Sequence, residues 1–146
     1  MTSYHGTVLE IGGAGVLLRG APGSGKSSLA LLLIDAQGFG LGQTPLRARL
    51  VADDQFLLEK TGAGLVARAP ATLAGLLEIR GIGIVRVDHE PHVVLKLVVD
   101  LEKGAALPRM PDAPDIKTEL MGISVKRLRL DPSDPAAAAK IRASLF

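Results

Sequence analysis

Residues 15–38, "GVLLRGAPGSGKSSLALLLIDAQG", constrain this chain more than any other stretch. A short apolar run at 15–19 leads into Gly20-Ala21-Pro22-Gly23-Ser24-Gly25-Lys26-Ser27, which fits G-x-x-x-x-G-K-[ST]. Strong helix formers follow, and Gly38 is the expected C-cap. Strand, glycine turn and helix in that order predict an α/β fold with an anion cradle at the helix start. Glycines at 20, 23 and 25 let the backbone curl until successive N–H groups point at phosphate oxygens. Lys26 brings a mobile charge to β- and γ-phosphates, and the Ser27 hydroxyl can hold Mg²⁺. The pattern predicts that a nucleoside triphosphate binds. It does not say what receives the phosphate.

The rest of the chain reads as a mixed sheet with few helices. Residues 4–11, "YHGTVLEI", alternate as one strand, and Gly12-Gly13 supplies a turn. Residues 38–47 are a Gly/Pro loop, after which "ARLVADD" climbs into two adjacent aspartates as a buried strand ending at a site would. "QFLLEKTGAGLVARAP" is an expected hairpin, and Pro70 suits the first position of a short helix running through "ATLAGLLEIR". In "HVVLKLVVDL", strand periodicity places Val93, Leu95, Leu97, Val99 and Leu101 on one face. "PRMPDAPD" is a loop and "GISVKRLRL" a last strand. Asp134 and Pro135 are expected to open a final helix over "AAAAKIRASLF". With 146 residues, no repeats and no linker-like segment, residues 1–146 are expected to form a single domain. Only 3% of residues are aromatic, so the core must be built from Leu, Val, Ile and Ala.

Composition removes several function classes. The absence of cysteine excludes disulfides, thiolate catalysis and Cys-based zinc, and suits a cytoplasmic setting. No signal-like start or membrane-length apolar run is present, so no membrane partner is expected. The net charge is only +2, and no aromatics interleave the basic residues, so nucleic acid is not expected as a partner either. Lys126-Arg127-Leu128-Arg129 reads as a solvated strand face.

Phosphoryl transfer needs more than a cradle: a metal-side carboxylate, a proton acceptor and positive charge for the transition state. Asp53 and Asp54 stand where a carboxylate reaches Mg²⁺ or a water; strand alternation predicts that only one of them aims at the phosphate. Glu78-Ile79-Arg80-Gly81-Ile82-Gly83 offers a candidate metal ligand in Glu78 and a phosphate clamp in Arg80. "DHEPH" at 88–92 tempts a metal reading, but without a third ligand it is a polar turn.

Taken in order, "YHG", "GVLLRGAPGSGKSSLAL", "RLVADD" and "RAP…LLEIRGIGIV" resemble the catalytic domain of HPr kinase/phosphorylase, over about residues 4–101. The least common of these elements is "LLEIRGIGIV". The resemblance implies a P-loop core of the HPr kinase and phosphoenolpyruvate carboxykinase type, and a hexamer. It implies an ATP- and Mg²⁺-dependent protein-serine kinase acting on an HPr-like phosphocarrier, with reverse phosphorolysis in many members. By the same resemblance Gly20 to Ser27 bind ATP, Ser27 and Glu78 hold Mg²⁺, and Asp54, also near the metal, is the base, with Asp53 as its neighbour. His5 matches the family's active-site histidine, and Arg109, in "LPRMPD", stands in the place of a catalytic arginine. The N-terminal domain of longer members is expected to be absent, as in the short alphaproteobacterial form. The family's "PVRPGR" segment appears here as Arg129-Leu130-Asp131-Pro132-Ser133-Asp134; fewer arginines and added aspartates should repel phosphate and weaken phosphorolysis.

Two other readings compete. A small-metabolite P-loop kinase would carry an arginine-rich lid, for which the 104–115 loop with one arginine is the only candidate. A nucleotide-sensing module without transfer activity would need everything except Asp54.

Overall fold

The computed structural model describes all residues, Met1–Phe146. Eleven strands and two α-helices follow in the order β1 (Thr2–His5), β2 (Thr7–Ile11), β3 (Ala14–Arg19), α1 (Lys26–Asp35), β4 (Ala48–Ala52), β5 (Gln55–Thr61), β6 (Gly64–Arg68), β7 (Leu76–Ile79), β8 (Gly83–Arg86), β9 (His92–Leu101), β10 (Lys117–Leu120), β11 (Ile123–Leu130) and α2 (Ala137–Ala143). The expected α/β class with few helices is what forms. Nine strands make one mixed sheet in the order β1-β5-β6-β9-β3-β2-β4, with the β10–β11 hairpin attached through β11 to β9. β3 and β11 flank β9 in parallel. β7 and β8 form a separate hairpin.

Apolar side chains on the two sides of the sheet build two cores. One lies under α1 and α2 and contains Leu18, Leu33, Leu50, Leu97 and Ile141. The other lies inside the curl of the sheet around Val8, Leu17, Phe56, Leu58 and Val98. β9 serves both, and here the structure departs from the sequence expectation. Leu97, Val99 and Leu101 face the helices, whereas Val93 and Leu95 lie in the other core. The cause is a bulge: Gly15 pairs with Leu95 but Val16 with Leu97, so Lys96 is the extra residue and alternation flips there. Gly15 permits it, because a Cβ would come within 2.5 Å of the Val94 carbonyl oxygen.

Other expectations shift for equally local reasons. The 4–11 strand breaks at Gly6, where a Cβ would stand 2.7 Å from Leu17; β1 then pairs with β5, while β2 pairs with β3 and β4. The helix expected through "ATLAGLLEIR" is a single 3₁₀ turn at Ala71–Leu73, followed by β7. Gly75, at φ 77°, redirects the chain. From Leu76 onward the apolar residues alternate, so that Leu77, Ile79 and Val85 reach the core under α1 while Glu78 faces out. α1 ends at Asp35, not at Gly38. Gly38 instead makes room for the buried Arg142, whose guanidinium donates to the carbonyls of Leu33, Ala36 and Leu46 and so satisfies the open end of α1. α2 starts at Ala137, because Asp134 accepts the Ala136 N–H and shapes the turn before the helix.

The basic run at 126–129 is solvated only at Lys126. Arg127 and Arg129 are half-buried and paired with the carboxylates of β9 and the turn after it: Arg127 with Asp100 at 2.5 Å, and Arg129 with Glu102 through two bonds of 2.6 and 2.7 Å. Arg19 donates to Asp100 from the other side at 2.8 and 2.9 Å. Parallel pairing of β9 with β3 and β11 puts these residues in register, Arg19 and Arg129 both opposite Asp100. Burial alone would push the Asp100 carboxyl up, but the hydrogen bonds from Arg19 and Arg127 outweigh it and hold it below the ordinary range. A carboxylate whose native pKa is depressed stabilises fully above its unfolded value of about 3.9, and that contribution fades as pH falls through the native value. Asp100→Asn is therefore expected to cost about 1–3 kcal/mol at pH 7. Thermal melts from pH 7 to 3 should show the gap between variant and wild type closing on the acid side.

Candidate active site

The phosphate loop takes its shape from its glycines. Gly23 and Gly25 adopt φ of 79° and 97°, which side-chain-bearing residues rarely enter. Gly20 lies so close beneath Ser24 that a Cβ would sit 2.4 Å from the Ser24 Oγ. The Ser24 N–H bonds the Ala21 carbonyl, and Lys26 lays its ammonium against the carbonyls of Gly20 at 2.7 Å and Ala21 at 3.2 Å. α1 then starts at Lys26, with the Leu29 N–H bonding the Gly25 carbonyl.

Asp53 is the hub beneath this loop. It is 8% exposed, and its Oδ1 accepts the hydroxyls of Ser27 at 2.9 Å and Thr7 at 3.0 Å. Its Oδ2 accepts the backbone N–H of Glu78 at 3.0 Å. One carboxylate thus ties together the end of β4, the start of β2, the first turn of α1 and β7. Asp54 follows in the left-handed region at φ 65°, exposed, with its carbonyl bonded to the Gly6 N–H. A non-glycine residue held there is a mark of local strain, and such strain gathers at functional sites.

Strand alternation predicts that only one of the two aspartates aims at the phosphate. β4 ends at Ala52 and the left-handed turn at Asp54 breaks the period, so the two carboxylates part ways. Asp53 grips Ser27 from below, and Asp54 lines a cavity of about 470 Å³ together with Lys26, Ser27, Glu78 and Arg80. Gly23, Gly25 and Pro22 form its loop side. Apart from Pro22 its lining is polar, charged or glycine.

Two expected residues lie elsewhere. His5 is exposed on β1, opposite Gln55, and joins the site only through its neighbour Gly6 on the Asp54 carbonyl. Arg109 lines a different cavity of about 490 Å³, with Arg127, Arg129 and Lys140, because residues 105–115 lie beside β11 rather than the phosphate loop. The aspartates at 131 and 134 are each engaged by their own neighbours. Asp131 accepts from the Ser133 hydroxyl and N–H and from the Gly104 N–H, which together hold its carboxyl low; Asp134 pairs with Lys140.

Two residues of the site went unread in the sequence. Thr7 is fully buried, and a hydroxyl amid the apolar "TVLEI" was the available signal. Lys103 lines the polar cavity from the turn after β9, and nothing in its local sequence marks it.

The residues fit a triphosphate with Mg²⁺. The loop offers the backbone cradle, and Ser24 Oγ is buried there without a hydrogen-bond partner. No three acidic or histidine side chains converge to hold a metal by themselves. A cation here would combine Ser27, a carboxylate and phosphate oxygens, which is the shared coordination that Mg²⁺ accepts.

Comparison with known proteins agrees with this geometry. Residues 1–139 match the family model described as HPr Serine kinase C-terminal domain. The HPr kinase/phosphorylase of Bordetella pertussis is 34% identical over 139 residues, covering 88% of this chain and 42% of that protein. That of Exiguobacterium sp. (strain ATCC BAA-1283 / AT1b) is 41% identical over 114 residues, covering 73% and 33%. The chain therefore spans less than half the length of these curated relatives. The solved HPr(Ser) kinase/phosphatase of Coxiella burnetii superposes with a TM-score of 0.78 at 25% identity, over 99% of this chain and 88% of that one. A glycine cradle, an aspartate that locks it to the neighbouring strands, and a match running from the first residue through Ala139 of α2 lead to one assignment: the chain belongs to the HPr serine kinase C-terminal domain family.

Proposed function

We propose that this chain is an ATP- and Mg²⁺-dependent protein-serine kinase whose acceptor is a serine of an HPr-like phosphocarrier. The observation that carries the reading is the convergence of Lys26, Ser27, Asp54, Glu78 and Arg80 on one polar cavity, with Asp53 locked beneath Ser27. Ser27 and Asp53, with Glu78 at the rim, would hold Mg²⁺, which when bound neutralises charge on the β- and γ-phosphates. Lys26 leaves its loop carbonyls for the phosphates. Asp54 takes the proton of the acceptor hydroxyl as its oxygen bonds the γ-phosphorus and the bond to the β–γ bridging oxygen breaks. Arg80, exposed at the cavity edge, balances charge on the moving phosphoryl group.

The proposal extends to a homo-hexamer, as the resemblance implies, and to a cytoplasmic setting, which the absence of cysteine suits; no helix is long and apolar enough to cross a membrane. A metabolite kinase is less well supported, since the only arginine of the 104–115 loop borders another cavity and offers no lid over this one. Phosphorolysis is expected to be weak for a reason of pairing: Arg129 is committed to Glu102 and is not free for incoming phosphate.

Incubation with radiolabelled ATP, Mg²⁺ and a purified HPr-like carrier tests the reading. Acid-stable label on a carrier serine is the expected result. Labelling of a small metabolite, or nucleotide binding with no transfer to any carrier serine, would overturn it.

A further inference from the structure

A second recess adjoins the phosphate loop on the side away from Asp54. It has a volume of about 280 Å³, and its walls include Leu29 and Leu32 of α1 and Pro132 and Ser133 of the segment after β11. Gly23, Gly25 and Lys103 border both this recess and the polar cavity, so the two meet across the loop. The linings differ: Leu29, Leu32 and Pro132 wall the recess, whereas Pro22 is the one apolar side chain at the cavity. Leu32 is 47% exposed, on a helix whose leucines at 29 and 33 are buried and whose Leu31 is half-buried.

We infer that the nucleoside of the bound nucleotide sits in this recess between Leu32 and Pro132, and that Lys103 is the cation over the inner phosphates. The inference rests on the nucleotide-binding part of the proposed function. Ser27, Asp53 and Asp54 mark the end at which the terminal phosphate reacts. The remaining phosphates then run back across Gly23 and Gly25, past Lys103, and the base and ribose reach the recess walled by Leu29, Leu32 and Pro132.

Lys103 is held for this role by its neighbours. Glu102 on one side is fixed by Arg129 and by its own N–H on the Leu130 carbonyl at 2.8 Å. Gly104 on the other side donates to Asp131 at 3.1 Å. Asp131 also accepts the Ser133 hydroxyl at 2.7 Å, so a single carboxylate clips the Lys103 turn to the Pro132-Ser133 wall. Asp131 of the altered 129–134 segment thus fixes the recess wall.

Calorimetric titration of the whole chain with Mg–ATP and with Mg–tripolyphosphate separates the parts. Leu32→Asn, at an exposed helix position, should weaken Mg–ATP about five- to tenfold, as loss of one apolar wall predicts, and leave tripolyphosphate within about twofold. Lys103→Met should weaken both ligands by about tenfold and flatten their salt dependence. The inference falls if wild type binds tripolyphosphate as tightly as ATP, if Leu32→Asn affects both ligands alike or neither, or if Lys103→Met changes neither. Circular dichroism and melting of each variant exclude misfolding, and Pro132→Gly provides an independent change to the same wall. Because no acceptor is present, failure to phosphorylate a carrier would refute the kinase reading and leave this one standing. Wild type binding neither ligand would refute both.

Discussion

Asp54→Asn is expected to lower phosphoryl transfer to the carrier by about 10²- to 10⁴-fold, the range that a positioned base contributes, while Mg–ATP still binds. Asparagine tolerates the left-handed region, so the turn at φ 65° survives the change and only the proton acceptor is lost. Alanine at the same position would confound the result by adding backbone strain of about 1 kcal/mol. The melting midpoint of Asp54→Asn should match wild type, because the exposed side chain makes no hydrogen bond that holds the fold. Initial-rate assays with radiolabelled ATP and a calorimetric affinity measurement decide the matter together. Transfer undiminished by the substitution would remove Asp54 from the chemistry and reopen the role of Asp53. A nucleotide response retained in a protein that shows no transfer even as wild type would favour the sensing module.

The neighbouring substitution should fail differently. Asp53→Ala strips the acceptor from three donors at once, the hydroxyls of Thr7 and Ser27 and the N–H of Glu78. Two of these lie in or beside a core strand and a core helix, where an unmade hydrogen bond costs the full desolvation of the group. A loss of about 3–5 kcal/mol is expected, which for a chain of this size lowers the melting midpoint by about 10 °C or more. Asp53→Asn should recover part of this, because its amide oxygen can still accept both hydroxyls. It will not recover all of it, since its NH₂ then faces the Glu78 N–H. Differential scanning calorimetry of the pair checks the prediction. An Asp53→Ala protein that melts with wild type would mean that the hub contributes nothing to the fold, and that Asp53 is a metal-side ligand only.

The contrast between these aspartates shows where sequence reading reaches its limit. Both were visible as the end of an apolar strand beside a phosphate loop, but their division of labour depends on Thr7 and the Glu78 amide, which approach from distant parts of the chain. The "LLEIRGIGIV" segment is legible as a motif, but its "LLEI" part, expected as helix, forms a strand. Its apolar residues satisfy helical and extended periods about equally over so short a span. The choice was made by Gly75 and by the space beneath α1 that Leu77 and Val85 fill. β9 carried the opposite error: its alternation was read as unbroken because a bulge leaves no local signature when the extra residue, Lys96, is an ordinary polar one. The basic run on β11 looked solvated because its partners, Asp100 and Glu102, lie on and just beyond a strand paired to it in parallel.

By itself the sequence determined the phosphate cradle, the helix that follows and the mixed α/β class. The cradle depends on backbone freedom and hydrogen bonds among eight consecutive residues, and such local interactions are written in local order. Only the tertiary structure decided which aspartate grips Ser27 and which faces the cavity, where Arg109 lies, and that Lys103 borders the loop. Those outcomes follow from strand register and core packing, which join residues far apart in the chain and which no short stretch encodes.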